Sequence, residues 1–350
     1  EGISEDLIDQ LSRLRWLPVI ARNSSFNFTS GEIDARAVGK SLGARYLIEG
    51  RLRSAGADFV LGVSAIDAET SQVIWSEKFE LPGSLSNESL APVLGDLTAV
   101  LDARIDHVEQ GRAASRPSTS RDVNTLIWRA RWHINRMTRK DNAIAGELLD
   151  EAMRLDPANP EVLVQAAWRI GWNNWAERLK PQEMREWSRL AREAMRADPE
   201  DGRAYAILGG YEMLVRNNAR ALALYARAIE LNPSLPLGHA LMGSGLNMAG
   251  RPEEAIISLQ TALRLSPGDA FAFHTLGELA TSYCMTGRWP EAVDAADQSL
   301  IRRPAYWLAH VIKINALWRG GDERGLAAAA LEMKRACPNF TQDGIDWLPF

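Results

Sequence analysis

Residues 231–267 read LNPSLPLGHALMGSGLNMAGRPEEAIISLQTALRLSP. This stretch holds two helical patterns with a break at Gly250-Arg251-Pro252, and it lies between two X-Pro pairs, Asn232-Pro233 and Ser266-Pro267. Proline ends a helix because it lacks a backbone N–H and its ring clashes with the preceding turn. The stretch therefore predicts one helical hairpin between Pro233 and Pro267.

The same unit recurs along the chain. X-Pro pairs close helical patterns with successive spacings of 42, 34, 34, 37 and 34, at Asp156-Pro157, Asp198-Pro199, Asn232-Pro233, Ser266-Pro267, Arg303-Pro304 and Cys337-Pro338. Small residues, which let helices cross closely, recur at fixed distances before these prolines: Ala145, Ala221, Ala255 and Ala292; Ala152, Ala194, Ala228 and Ala262; Gly209 and Gly243. This period, with two helices in each unit, is typical of a helical repeat array.

Residues 122–340 therefore resemble the tetratricopeptide (TPR) family. The resemblance implies an all-α TPR superhelical solenoid of about six helical hairpins. Trp187 stands where the second unit should have a small residue. The spacing of 42 implies an insertion near 175–181, and the spacing of 37 implies about one extra helical turn within 268–304.

Residues 1–110 follow a different pattern. Two amphipathic helices, near 3–14 and 33–43, flank a short predicted strand at 17–22. Three runs of period two follow, joined by short turns at 54–57 and 67–72, and a helix is predicted across about 87–110. We predict an α+β domain with helices on a small mixed sheet that includes an antiparallel meander.

This domain resembles the TolB amino-terminal-like domain, through the segments 21–26, 42–51, 66–70 and 75–77. Such domains normally begin with one more strand, so we expect a truncated domain whose unpaired sheet edge could support self-association. In bacteria this domain often precedes TPR repeats. The pair commonly follows a class III adenylate cyclase domain or a winged-helix DNA-binding domain, so the resemblance implies a role in bacterial signal transduction.

The predicted domain order is a truncated αβ domain at 1–110, a linker at 111–121, the solenoid at 122–340 and a C-terminal tail at 341–350. The linker is small, polar and Pro-containing, so it can bury little surface. The tail ends in Asp346-Trp347-Leu348-Pro349-Phe350, which is apolar enough to cap the last repeat or to occupy the groove. Capping is the favoured expectation, because the tail follows the last helix so closely.

Composition excludes several classes of partner. The net charge is −5, and residues 1–110 carry 10 Lys+Arg against 17 Asp+Glu, so a nucleic-acid-binding surface is not expected. No apolar run reaches the ~18 residues of a membrane span. The acidic start does not match a signal peptide. We predict a cytoplasmic protein, or a periplasmic one if a membrane helix precedes residue 1.

Each motif that resembles a catalytic or cofactor-binding site lacks the sequence context that its chemistry requires. Gly39-Lys40-Ser41 lacks the upstream glycine of a phosphate-binding loop, and Gly243-Ser244-Gly245 lies inside a repeat helix rather than at a strand-to-helix turn. The five histidines and two cysteines have no metal-ligand spacing. The pairs Trp128/Trp132 and Trp168/Trp172 indicate core packing rather than a ligand site. We predict no enzyme activity, cofactor or metal.

The predicted function is protein or extended-peptide binding in the concave groove lined by the first helix of each hairpin. The groove positions implied by the family are Arg203, Gly210, Met213, Ser244, Asn247, Met248, Thr281, Cys284, Met285, Asn315 and Trp318. This set is nearly neutral and rich in Met, and the amides of Asn247 and Asn315 could bond a peptide backbone. The alternative is a sensory module in which the αβ domain binds a small molecule and controls an upstream domain.

Overall fold

The computed structural model describes residues 2–21, 34–81, 83, 87–115, 122–173, 179–338 and 340. The chain divides into two compact units, Glu1–Val108 and Glu109–Phe350. Each unit has its own buried apolar core. None of the described helices is both long and apolar enough to cross a membrane.

The first unit combines helices with a three-stranded antiparallel sheet of order β1-β2-β3. Its elements are α1 (Gly2–Leu11), α2 (Ala35–Leu42), β1 (Tyr46–Ala55), β2 (Asp58–Asp67), β3 (Gln72–Leu81) and α3 (Asn87–Ser115), the last of which continues past residue 108. Leu61, Val63 and Ala65 of β2 alternate into the core, while the residues between them are only partly buried. The predicted meander is confirmed.

The turn between β2 and β3 lies at segment 66–70, one of the segments that resemble the TolB amino-terminal-like domain. The buried carboxylate of Asp67 accepts hydrogen bonds from the backbone N–H groups of Glu69 and Thr70, both at 2.9 Å. Ala68 packs so close to Gly39 that a Cβ on Gly39 would collide with it. Gly39 is thus a packing glycine in α2.

Three features differ from the sequence prediction. Residues 17–21 form no strand, so the strand predicted at 17–22 is wrong over its described part. The predicted mixed sheet is antiparallel throughout the described residues. Helix α3 continues to Ser115, five residues into the predicted linker at 111–121. Within it Arg112 pairs with Glu109 at 3.1 Å, and an i,i+3 ion pair of this kind adds modestly to helix stability. Residues 116–121 lie outside the described residues, as do 22–33.

The second unit is a stack of helical hairpins, each made of a first and a second helix. The first helices are α4 (Val123–Arg136), α6 (Pro160–Asn173), α8 (Gly202–Leu214), α10 (Pro236–Met248), α12 (Ala272–Met285) and α14 (Trp307–Gly320). The second helices are α5 (Arg139–Leu155), α7 (Pro181–Ala197), α9 (Asn218–Leu231), α11 (Pro252–Leu265), α13 (Trp289–Arg302) and α15 (Glu323–Ala336). The predicted all-α solenoid is confirmed, and the described residues of this unit contain six such hairpins.

The X-Pro pairs end the second helices as predicted. In all six hairpins the residue before proline is the C-cap of the second helix: Asp156, Asp198, Asn232, Ser266, Arg303 and Cys337. Proline one residue past the C-cap cannot continue the helix, which sets this end of every hairpin.

The recurring small residues are the crossing points of the helices. Ala145, Ala221, Ala255 and Ala292 are fully buried. The second hairpin has Trp187 at this position, and glycines make room for it: a Cβ on Gly171 would lie 2.5 Å from the Trp187 ring. The large Trp187 side chain of α7 thus packs where Gly171 of α6 has no side chain.

The two unequal spacings correspond to insertions at defined places. Seven residues, 174–180, separate α6 from α7, of which 174–178 lie outside the described residues. Between α11 and α12 the connection 266–271 has six residues, whereas 232–235 between α9 and α10 has four. The spacing of 37 therefore lengthens mainly a connection, and α12 gains one residue relative to α10 rather than a full turn.

The packing predicts the effect of adding one methyl group. Gly243 lies against Leu259, which is fully buried, and a Cβ there would collide with that side chain. We expect Gly243→Ala to lower the free energy of unfolding by about 1–3 kcal/mol, the usual cost of overpacking. Gly111→Ala is the matched control: it lies in α3 with nothing within 4 Å of an added Cβ, so it should stabilise by up to ~1 kcal/mol. Urea unfolding of both variants gives the comparison, and equal effects would contradict the close crossing of α10 and α11.

Candidate functional site

The first helices of consecutive hairpins pack side by side in chain order. Side chains at matching positions of α4, α6, α8, α10, α12 and α14 therefore form one continuous surface, which we call the first-helix face. All of the predicted groove residues belong to these helices. Their exposure and contacts decide which of them a partner could reach.

One column of this face lies between hairpins. Each member stands three residues before a turn residue with positive φ, and the turn residues are Met137, Arg216, Gly250, Gly287 and Gly321. The exposed fractions of the members are 2% for Ile134, 3% for Met213, 6% for Asn247, 9% for Cys284 and 61% for Trp318. We call these residues the inter-repeat column. Its first four members are buried, and only the member in the last hairpin is exposed.

The next hairpin covers the column. The Asn247 amide in α10 donates to the backbone carbonyl of Glu278 in α12 at 2.9 Å. The Cys284 thiol in α12 lies 3.8 Å from the carbonyl of Ile312 in α14. Met213, Asn247 and Cys284, which the sequence placed in the groove, are thus buried within the stack.

Arg203 is the only formally charged residue of the predicted lining, and it is already paired. Its guanidinium lies 2.6 Å from the carboxylate of Glu161 in α6 and 2.7 Å from that of Asp201, the N-cap of α8. Arg131 in α4 also reaches Glu161, at 3.4 Å. Burial raises the pKa of Glu161, but the charges of Arg203 and Arg131 outweigh burial and leave this pKa below its usual value. These ion pairs join the first three hairpins.

Gly210 and Ser244 of the predicted lining also face inward. A Cβ on Gly210 would lie 3.3 Å from the Trp187 ring, so this glycine accommodates the tryptophan. The Ser244 hydroxyl, 1% exposed, donates to the carbonyl of Ala240 at 3.3 Å.

Asn247 belongs to a buried polar cluster, which also contains Glu278, Ser282 and His274. Its amide donates to the Glu278 carboxylate at 3.0 Å and accepts from the Ser282 hydroxyl at 2.7 Å. Burial raises the pKa of Glu278 to about 7, although the hydrogen bond from Asn247 opposes the rise. His274, fully buried 3.8 Å from the same carboxylate, has its pKa lowered to about 3 by burial. Low pKa for the histidine and high pKa for the carboxyl both favour a neutral cluster.

The accessible part of the predicted lining lies in the last three hairpins. Met248, Thr281 and Asn315 are partly exposed. Met285 near the end of α12 is 47% exposed, and Trp318 near the end of α14 is 61% exposed. These two large apolar side chains are on helices that pack against each other.

Aromatic side chains link hairpins that are far apart in sequence. Phe271, at the end of the longer connection before α12, lies with its ring centroid 5.0 Å from Trp172 and 5.4 Å from Trp168, both in edge-to-face geometry. It also stacks on His274 at 4.4 Å. Core packing of Trp172, predicted from the sequence, is confirmed, since it is 7% exposed. Phe271 was not predicted from the sequence as its partner.

A second contact joins the same parts of the stack. The guanidinium of Arg303, after α13, donates to the backbone carbonyl of Met137 in the first hairpin at 2.8 Å. Together with the Phe271 contacts, it ties the first two hairpins to the fifth. The sequence signal for this closure was the spacing of 37, which indicated extra residues without indicating their contact.

Two of the five histidines make the same structural contact. His239 and His310 each donate from Nε2 to the carbonyl of the proline six residues earlier, Pro233 and Pro304, at 2.9 and 2.8 Å. Tyr205 makes the same contact with the Pro199 carbonyl at 3.0 Å. Among the described residues, no group of three or more His, Cys, Asp or Glu side chains is placed to hold a metal ion.

Comparison with known proteins supports the repeat architecture. A model of the tetratricopeptide repeat family matches residues 215–270 and 278–343, so the chain contains tetratricopeptide repeats. A putative adenylate cyclase 3 of Rhizobium meliloti (strain 1021) is 27% identical over 218 residues. This match covers 59% of the present chain but only 36% of that relative.

Solved structures share the fold. The hetero-tetramer of Cut9 and Hcn1 from the APC/C superposes with a TM-score of 0.55 and 15% identity, covering 74% of this chain and 48% of that chain. Human IFIT1, solved as a dimer with m7Gppp-AAAA, gives a TM-score of 0.53 and 15% identity, covering 67% of this chain and 56% of that one. The TolB amino-terminal-like resemblance of residues 1–110 stays a prediction.

Proposed function

We propose that this chain is a non-catalytic protein-interaction module whose last three hairpins bind an extended apolar peptide of a protein partner. The observation that supports this most directly is the exposure of Met285 and Trp318, 47% and 61%, on neighbouring first helices. Large apolar side chains are usually buried, and neighbouring exposed ones often mark a protein-binding surface. Tryptophan is also enriched among residues that dominate binding energy.

The chemistry of the accessible residues suggests what the peptide offers. Met285 and Met248 have flexible, polarisable side chains that adapt to apolar groups. Thr281 and Asn315 provide polar atoms for a peptide backbone. Arg203 is paired with Glu161 and Asp201, so it does not supply a free cation to the site. An apolar peptide held partly by backbone hydrogen bonds fits this surface better than an acidic one.

The biological setting belongs to the same proposal. The partial match to a putative adenylate cyclase supports a place for the module in a bacterial signalling protein, where partner binding would control an output domain. Self-association through the sheet edge of the first unit and a cytoplasmic location remain predictions. No contact among the described residues favours the alternative, small-molecule sensing by the first unit, so we do not propose it.

The decisive test is peptide selection on the full 350-residue chain, followed by affinity measurement. We expect selected peptides to be apolar, and Trp318→Ala to weaken their binding at least about tenfold, because a truncated anchor residue typically costs ~2 kcal/mol or more. The melting temperature should hardly change, since the side chain is mostly exposed. Affinity should depend weakly on salt, because screening acts mainly on exposed charges.

Ile257→Ala is the matched control. Ile257 is 67% exposed but lies on the second helix α11, away from the first-helix face, so its loss should leave affinity unchanged. Equal losses for the two variants would show that the effect is not local to the proposed site. Selection of acidic peptides whose affinity collapses in high salt would overturn the apolar surface.

A further inference from the structure

One position of the second helices is buried in the first five described hairpins and exposed in the sixth. It lies eight residues before the X-Pro proline, and its exposed fraction is 0% or 1% in Leu149, Ala191, Tyr225, Leu259 and Ala296. The following hairpin contributes to this burial, since a Cβ on Gly245 of α10 would lie 3.1 Å from the Tyr225 ring of α9. The sixth hairpin has Ala330 at this position, and Ala330 is exposed.

Ala330 belongs to an exposed stripe along α15. The stripe, which we call the outer stripe, consists of Glu323, Ala327, Ala330 and Lys334. These residues are spaced by four, three and four, which is the spacing of the side of a helix that meets a partner helix. Leu331, which is 50% exposed, borders the stripe and adds apolar surface to it.

The outer stripe faces away from the fifth hairpin. On another side of α15, the Glu332 carboxylate lies 3.0 Å from the Lys313 ammonium, which also lies 2.7 Å from the carboxylate of Asp297 in α13. Two residues correspond to about 200° around a helix, so Ala330 and Glu332 project in nearly opposite directions. The stripe is therefore on the side of α15 where a seventh hairpin would pack.

The chemistry of the stripe differs from that of the earlier hairpins. The residue four positions before the proline is apolar in the first five hairpins, where it is Met153, Met195, Ile229, Leu263 or Leu300. In α15 this position holds Lys334, in the last turn, while Glu323 lies in the first turn. An apolar hairpin face thus fits the stripe less well than a surface that carries opposite charges at its two ends.

The outer stripe is complementary to itself. When two copies of α15 pack antiparallel, a single alignment brings Glu323 opposite Lys334 and Ala327 opposite Ala330, in both directions at once. Small residues at the centre let two helix axes approach to the lower end of the usual range of about 8–10 Å. Neither Glu323 nor Lys334 makes an ion pair with another described residue, so both charges are available to a second copy.

We propose that the outer stripe is a self-association surface, on which α15 of a second copy of this chain packs antiparallel about a two-fold axis. Such an axis uses the same patch on both copies, as most soluble homodimers do. The surface is separate from the sheet edge of the first unit, and the proposal does not rest on the proposed function. Helix α15 has 14 residues and is about 21 Å long, so one such pair covers less than the ~800 Å² per partner of a stable dimer. The dimer is therefore weak and reversible.

Light scattering by the full 350-residue chain over a range of concentrations tests the dimer. Lys334→Glu should raise its dissociation constant at least about threefold, because two attractive pairs become repulsive. Adding Glu323→Lys to this variant should restore the dimer, because the two charges then exchange places. A double variant that dimerises no better than Lys334→Glu would overturn the antiparallel alignment. A chain that is monomeric at every concentration would overturn the proposal, and the stripe would then be a polar end of the stack in water.

A charge at the centre of the stripe tests the location of the surface. Ala330→Glu should weaken the dimer at least about tenfold, because the new carboxylate lies close to Glu323 of the second copy. Ala328→Glu and Arg335→Glu are the matched controls, since both residues are exposed on other sides of α15 and their variants should dimerise as the unchanged chain does. Melting temperatures should hardly differ among these variants, because the changes are at the surface. Equal losses in Ala330→Glu and Ala328→Glu would overturn the assignment to the outer stripe.

The other candidate to cover the stripe is the C-terminal tail at 341–350, which was predicted to cap the last repeat and lies outside the described residues. Maleimide labelling of Ala330→Cys and Ala328→Cys, located by mass spectrometry, distinguishes the two. In dilute, monomeric chains both thiols should react at the same rate, and only the Ala330→Cys thiol should slow as the dimer forms. Slow labelling of Ala330→Cys in a monomer would mean that the same chain covers the stripe, and would overturn the second copy as its occupant.

Discussion

Replacing Phe271 by alanine should lower the free energy of unfolding by about 3–5 kcal/mol, the range found for buried phenylalanines. Phe271 is 6% exposed although it lies in a connection, and its ring contacts Trp168, Trp172 and His274. Its loss would remove apolar contacts between the second and the fifth hairpin, and the cavity would be hard to fill because the surrounding helices are fixed by their own packing. Urea unfolding followed by circular dichroism measures the effect.

A double-mutant cycle shows whether the contact itself is responsible. Phe271→Ala and Trp172→Ala should be coupled by about 0.5–1.5 kcal/mol, as expected for an edge-to-face aromatic pair. The control cycle pairs Phe271→Ala with Trp187→Ala. Trp187 packs on Tyr211 and Gly171, so its effect should add to that of Phe271. Additive effects in both cycles would mean that Phe271 is buried without joining the two hairpins.

This contact also affects which surface remains for a partner. In a linear stack each hairpin contacts only its neighbours, and stability is close to a sum over neighbouring interfaces. Here Phe271 and Arg303 connect hairpins that are not neighbours, so loss of either contact should loosen both ends at once. The accessible apolar residues Met285 and Trp318 lie in the last two hairpins, the first of which makes these contacts.

The sequence predicted the features that depend on local chemistry. Proline that follows a helical pattern favours the end of that helix, so Pro233 and Pro267 place the ends of α9 and α11 without knowledge of any neighbour. Gly243 and Ala255 mark close crossings because their size alone permits them. The meander was predicted for the same reason, since alternation of apolar residues requires only one buried face.

The candidate site was harder to predict, because burial there depends on whether another hairpin packs on the residue. The period assigns Asn247 and Trp318 to the same position, and nothing local to either residue distinguishes them. Their different exposure, 6% and 61%, arises because a following hairpin covers Asn247. Likewise, the spacing of 37 indicated inserted residues, but only the fold shows that they bring Phe271 to Trp172. A periodic pattern thus identifies the face of a helix, whereas the residues on which that face packs depend on the tertiary structure.

The second large effect concerns Glu278 and the dependence of stability on pH. Burial raises the pKa of this carboxyl from 4.5 to about 7. Between these values the unfolded chain has released the proton and the folded chain still holds it, so stability falls as pH rises. The difference of about 2.5 between the two pKa values corresponds to about 3 kcal/mol. His274 acts in the opposite direction: its pKa is lowered from 6.5 to about 3, so its contribution is lost as pH falls through this range.

Because the two contributions oppose each other between pH 4.5 and 6.5, the pH profile of the unchanged chain would hide both. Glu278→Gln separates them, since glutamine keeps an acceptor for the Asn247 amide but cannot ionise. Subtracting the unfolding free energy of the unchanged chain from that of Glu278→Gln removes the His274 contribution. This difference should rise by about 3 kcal/mol from pH 4.5 to pH 7, in favour of the variant. Glu253→Gln, at an exposed position in α11, is the control for replacing a carboxyl group by an amide. If the difference for Glu278→Gln does not change with pH, the Glu278 carboxyl titrates in the fold as it does in water, and the buried cluster of Asn247, Glu278 and Ser282 does not exclude solvent.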